Sequence, residues 1–136
     1  SGVTWFDTAL SYGWGSSHDA IKNFVSQMGD RSKLWLTSKS GARDPERLIE
    51  GASEALTGLG TNYLDIFLMH GIRSVSMLDA EYLKVGDRLK KEGKTRLFGF
   101  SCVTVMSWNY STAQRNAAAS TSSYFATTFT VMATSN

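Results

Sequence analysis

The stretch YLDIFLMH, residues 63–70, is apolar nearly throughout and ends on a polar side chain. A strand buried on one face alternates apolar and polar residues, whereas a near-continuous apolar run suits a strand covered on both faces. Such double coverage is typical of parallel sheets, whose crossover helices pack over the strands. Working outward, KLWLTSK at 33–39 and GVTWFDT at 2–8 read as two earlier strands, and TRLFGFS at 95–101 as a later one.

Helical patterns fill the gaps between these strands. Gly13 and Gly15 mark a loop, after which residues 17–27 place Ala20, Ile21, Phe24 and Val25 at helical spacing, a face continued by Met28. Asp44-Pro45 supplies an N-cap and a first helical residue. The helix it opens reaches Gly58 or Gly60 and buries Leu48, Ile49, Ala52, Ala55, Leu56 and Leu59. A third helix spans roughly 77–91, with Leu78, Tyr82, Val85 and Leu89 inward and Gly93 at its end. Three strand–helix alternations leading to a fourth strand, without a hairpin signal, predict a parallel α/β sheet, barrel or doubly wound.

Length and composition narrow the classes. At 136 residues the chain is one domain by size, yet short of the roughly 200–250 residues of a whole barrel. It begins at Ser1-Gly2, runs straight into a strand, and reads as a piece of something longer. A net charge of +2, scattered along the chain, gives no footprint for nucleic acid. No apolar run approaches the roughly 20 residues that span a bilayer. The single cysteine, Cys102, excludes an intrachain disulfide and fits a reducing, cytoplasmic setting. Two histidines and one cysteine offer no metal-ligand spacing.

Polar residues stand where the strands end: Asp7, Lys39, His70 and Ser101, with Tyr12 in the loop just past Asp7. In parallel α/β proteins those ends converge on one face, and sites are built there. Taken singly, each residue has an ordinary structural use, as cap, rim or solvated charge. Together they make a site for placing a proton on a developing alkoxide. A free tyrosine ionises near pH 10 and is a poor acid at neutrality unless a neighbouring ammonium tunes it. A buried lysine keeps its charge only beside a carboxylate such as Asp7, and a histidine can hydrogen-bond a substrate carbonyl. Asp65 inside the third strand reads as a structural carboxylate bonded to nearby backbone. Trp5, Trp14 and Trp35 read as core, with Trp14 also a candidate wall of a substrate pocket. GWGSS at 13–17 is too short for a phosphate loop and lacks the following lysine.

FDTALSYGWGSS, WLTSK, GLGTNYLDIFLMH and KKEGKTRLFGFS resemble, in order and spacing, the signature segments of aldo-keto reductases. The resemblance covers about residues 1–102 and implies the first half of a (β/α)₈ TIM barrel, strands one to four with intervening helices and an irregular C-terminal tail. It implies a catalytic tetrad of Tyr12 as proton donor with Asp7, Lys39 and His70. It also implies cofactor contacts from Asp7 and Ser101, NADPH (or NADH) as hydride source, and a small-molecule carbonyl substrate. His18, Asn62 and Lys22 depart from the family's usual Glu, Asp and Gly, and none touches the tetrad. Half a barrel leaves two strand edges unpaired and an apolar interior open, so self-association is expected and the chain alone should be inactive. A non-catalytic regulatory or binding protein on the same fold is the alternative, against which the intact tetrad argues.

Residues 103–136 hold thirteen Ser or Thr, six Ala and one charged residue, Arg115, whereas the preceding 102 residues carry all other charges. Such a tail suits disorder, but it also regroups, shifted by one base, into family-like helix and strand sequence. A single-base correction near codon 102 of the gene is therefore expected to restore aldo-keto-reductase-like protein. Genomic reads that encode the Ser/Thr-rich tail in every relative would refute that expectation.

Overall fold

The computed structural model describes residues 2–102 and 129–133. Its strands are β1 (Trp5–Asp7), β2 (Trp35–Ser40), β3 (Leu64–Ile72), β4 (Thr95–Cys102) and β5 (Phe129–Ala133). Between them lie α1 (Ser16–Met28), α2 (Pro45–Leu59) and α3 (Ala80–Lys91), with short 3₁₀ turns at Tyr12–Gly15, Arg31–Lys33 and Val75–Met77. The sheet order is β1-β2-β3-β4-β5, and the first four strands are parallel. A doubly wound sheet reverses its strand order at a switch point; this order never reverses. It is the winding of a (β/α)₈ barrel through its first four strands, with α1 against α2 and α2 against α3 in one outer layer.

Strand β5 was not anticipated from the Ser/Thr-rich composition. It pairs antiparallel with β4, Phe100 opposite Val131, and so covers one of the two edges expected to be unpaired. Among the described residues the sheet now ends at β1 and β5. The rest of the 103–136 tail, with its expected frame shift or disorder, lies outside the described residues.

The core fills the space between helices and sheet. Leu48, Ala52, Ala55 and Leu59 of α2 meet Leu36, Phe67, Met69, Phe98 and Phe100. Strand alternation sends Ile66, Leu68 and His70 to the opposite face, the barrel interior. The interior expected to lie open does so at Trp5 and Trp35, each about two-fifths exposed and therefore not core, but Ile66 and Leu68 are buried. Gly86 lets α3 close on β4, since a Cβ there would lie 2.6 Å from the Phe98 ring.

Helix α2 starts as expected: Asp44 accepts from Arg47 N, and Pro45 follows. Helix α1 turns Ile21, Phe24 and Val25 inward as expected, with its inward face shifted toward its N-terminal turn. It begins at Ser16, behind the left-handed Gly15, and Ser17 Oγ bonds Thr8 Oγ1 at 2.7 Å. This turns His18 inward, where its Nε2 lies 3.0 Å from Ser38 Oγ, and leaves Ala20 and Met28 outside. Burial lowers the His18 pKa, partly opposed by Asp19. Helix α3 begins later than expected because the 3₁₀ turn at 75–77 precedes Asp79, which caps it through Glu81 N.

Asp65 is the structural carboxylate expected, with more partners than backbone alone. Its Oδ2 accepts from Leu36 N (2.9 Å) and Arg31 Nη2 (2.8 Å), and its Oδ1 from Arg96 Nη1 (3.1 Å). Both guanidiniums also lie over the Tyr63 ring, at 4.1 and 5.2 Å from its centroid. This node ties β2, β3 and β4 at their starts. Removing one partner of a buried ion pair strands the other charge, so Asp65→Ala should destabilise the chain by about 3 kcal/mol. Urea unfolding measures this directly; a loss under about 1 kcal/mol, the scale of a surface pair, would show that the node is dispensable.

Candidate active site

Three strands and the 3₁₀ turn after β1 place four side chains at one end of the sheet. Asp7 is the last residue of β1, and Lys39 lies near the end of β2. His70 stands near the end of β3. The chain then turns through Ala9 O, which accepts from Tyr12 N at 3.1 Å, and delivers Tyr12 above the same end. Lys39 is the hub. Its Nζ donates to Asp7 Oδ1 and, at 3.2 Å, to the Thr8 carbonyl. The same nitrogen lies 5.0 Å from the centroid of the Tyr12 ring. Tyr12 in turn meets His70 edge-on, with ring centroids 5.5 Å apart.

Burial divides the labour. Lys39 is only 2% exposed, and a buried ammonium is tolerated because a carboxylate and a carbonyl both accept from it. Asp7 and Tyr12 remain open to the solvent side, where a substrate would enter. The His70 pKa is lowered, by burial first and then by the Lys39 and Arg43 charges, against the opposing pull of Asp7. A neutral imidazole at ordinary pH can donate one hydrogen bond without adding charge.

The sequence did not reveal how His70 is held. The β3–β4 register shifts between Met69 and Ile72, and Gly71 adopts φ +72°. Arg43 Nη2 donates to His70 O (2.7 Å) and Gly71 O (3.2 Å), while Ser101 Oγ accepts from Gly71 N (3.3 Å). Tyr82 Oη then donates to the Arg43 carbonyl at 2.5 Å. Bulges beside sites re-aim a side chain, and this one fixes the histidine. Arg43 carries no periodic signal, since it sits in the loop before the α2 cap, so only the fold brings it to β3. Ser101, expected at the cofactor, is buried and also donates to Met69 O at 3.4 Å. Trp14 stands apart from the cluster, fully exposed.

The aldo/keto reductase family model matches residues 1–126, past the point at 102 where the motifs stop. The chain belongs to the aldo/keto reductase family. An aldo-keto reductase of Gibberella moniliformis is 31% identical over 112 residues, which are 74% of this chain and 33% of that protein. The aldo-keto reductase YhdN of Bacillus subtilis is 26% identical over 110 residues, again 74% of this chain and 33% of the relative. The chain thus spans about a third of the length of the curated relatives it matches. Among solved structures, a holo-form aldo-keto reductase of Bacillus halodurans superposes with a TM-score of 0.68 at 23% identity, over 76% of this chain and 38% of that one. That likeness is one of fold. A Klebsiella pneumoniae aldo-keto reductase crystallised with NADPH gives a TM-score of 0.63 at 27% identity, over 73% of this chain and 34% of its own.

In this aldo/keto reductase chain the electrostatic coupling between Lys39 and His70 is measurable. The His70 ring is expected to titrate below the ordinary histidine value in an NMR pH series. Lys39→Met should move that midpoint upward, because the cation opposing imidazolium is gone while Asp7 remains. An unmoved or lowered midpoint would show that the two groups are not coupled as their geometry requires.

Proposed function

We propose that this chain supplies the proton-handling part of a site that reduces aldehydes or ketones to alcohols, with Tyr12 as general acid. The observation that carries the proposal is the convergence of Asp7, Tyr12 and His70 on the buried Lys39 ammonium. Family membership and the NADPH-bound Klebsiella relative support it. A carbonyl oxygen seated between Tyr12 and His70 gains negative charge as its carbon is reduced. His70 donates a hydrogen bond to that oxygen, and Tyr12 delivers a proton to it. Lys39 favours the phenolate left behind, and Asp7 holds Lys39 in place.

Bound NADPH (or NADH) would supply the hydride. The donor set fits the nicotinamide end of such a cofactor. Asp7 presents a carboxylate with half its surface open. Ser101 retains one lone pair after its bonds to Gly71 N and Met69 O. The chain spans about a third of the length of its curated relatives, so we expect the remaining contacts to come from the other two thirds, and the 136-residue chain by itself to be inactive and to bind NADPH more weakly than micromolar. A cytoplasmic setting belongs to the same reading, and rests on the lone Cys102, whose thiol is buried and pushed up in pKa by that burial. Edge-driven self-association would use β1 or the outer edge of β5, since β4 is paired on both sides.

The test is Tyr12→Phe in the protein expressed with its flanking coding sequence. Loss of a positioned general acid costs about a hundred- to ten-thousand-fold, so NADPH-dependent aldehyde reduction should fall by that factor. A fall of less than threefold would remove Tyr12 from the chemistry.

A further inference from the structure

The peptide that joins His70 to Gly71 is gripped at both of its polar atoms. Its oxygen, His70 O, accepts from Arg43 Nη2 at 2.7 Å, and its N–H, that of Gly71, donates to Ser101 Oγ at 3.3 Å. The grips come from opposite neighbours of β3: Arg43 from the loop that leaves β2, Ser101 from β4. The same Nη2 reaches the next carbonyl, Gly71 O, at 3.2 Å. Gly71 stands at φ +72° where the ladder shifts register, and a glycine takes either sign of φ with little steric cost. Left free, that peptide has more than one orientation open to it, and the strand end that aims His70 shares the ambiguity. Solvation alone does not call for an arginine here. His70 and Gly71 are half-buried, so water could satisfy both carbonyls. What the planar guanidinium adds is a fixed direction.

Arg43 is itself anchored. The amide before it, Ala42 N, donates to Ser40 Oγ at 3.2 Å, and its own carbonyl accepts from Tyr82 Oη at 2.5 Å. The residue after it, Asp44, caps α2 through Arg47 N at 3.0 Å. Ala42 and Tyr82 both pack against the core. An exposed arginine thus springs from backbone pinned at successive residues, and the bonds it donates end on carbonyls rather than carboxylates. Holding so long a side chain in one geometry costs rotamer entropy. The ring that it aims is the one that meets Tyr12 edge-on, with centroids 5.5 Å apart. We infer that Arg43 is a positioning residue of the carbonyl reduction: by clamping the His70–Gly71 peptide it holds the imidazole beside Tyr12, where the substrate oxygen is received. Arg43 acts only through His70. The inference deepens the proposed reduction and rests on it for what His70 does to the carbonyl.

The experiment is a double-mutant cycle in the protein expressed with its flanking coding sequence, with NADPH and either benzaldehyde or acetaldehyde. Arg43→Ala removes an exposed side chain, so the urea midpoint should stay near that of wild type. Its kcat should fall about ten- to a hundredfold, the scale of a misplaced reacting group, with the KM for NADPH unchanged. In a His70→Phe background the same substitution should leave kcat unchanged, because the group through which it acts is gone. An unchanged kcat in Arg43→Ala overturns the inference. So does a further fall of the same size in the His70→Phe background, which only a structural role would produce. Both results leave the reductase reading standing. A wild type that reduces neither aldehyde overturns the reductase reading instead. Amide hydrogen exchange at Gly71 then decides the clamp separately: faster exchange in Arg43→Ala than in wild type upholds it, and equal exchange ends it.

Discussion

Strand β3 has hydrogen-bonded neighbours on both edges, and six consecutive residues from Leu64 to Met69 are buried. No water reaches the middle of such a strand, so every polar atom there must find a protein partner or pay full desolvation. One carboxylate, Asp65, is admitted near its start, and it takes a backbone amide and two arginines to satisfy it. All other chemistry is driven to the far end, where His70 emerges half-buried. Because β2 and β1 run parallel to β3 and in sequential order, their own polar ends emerge beside it. The location of the site is thus a consequence of solvent exclusion along the sheet.

At that end a single buried charge organises the rest. Lys39 could not sit at 2% exposure without Asp7 and the Thr8 carbonyl. Those two partners fix where β1 must end and where the loop to Tyr12 must begin. The same ammonium lies near the Tyr12 ring and depresses the neighbouring His70. A carboxylate open to solvent beside a cation closed to it also polarises the site, with the positive side inward and the accessible side acidic or phenolic.

The parts of this architecture that depend on local pattern were legible in the sequence. Apolar runs located all four parallel strands, and Asp44-Pro45 located the start of α2 to the residue. The four polar strand ends were legible too, because parallel topology makes strand ends meet. What failed depended on longer-range contacts. The face of α1 was read only in part: Ile21, Phe24 and Val25 pack inward as the spacing predicts, but the inward turn of His18 is set by Ser38 and by the Ser17–Thr8 bond. The bulge at His70-Gly71 depends on Arg43, 27 residues earlier, and on Ser101, 30 residues later. Strand β5 gave no alternating signal, because Phe129–Ala133 lies in Ser/Thr-rich sequence and gains its place only from the edge of β4.

The unreversed strand order also bears on how the chain reaches this state. Partners Trp5 and Trp35 are 30 residues apart, Thr37 and Ile66 are 29, and Leu64 and Thr95 are 31. Each parallel pairing therefore closes a loop of nearly the same size, and no pairing waits for a distant one. Loop-closure entropy grows only slowly with length, and short sequence separations favour rapid pairing. The sheet can grow strand by strand in the direction of synthesis, each new strand–helix unit docking on a template already formed behind it. Under that regime Asp7, Tyr12, Lys39 and His70 are brought together once β3 has docked, and His70 is fixed only when β4 adds Ser101 against Gly71.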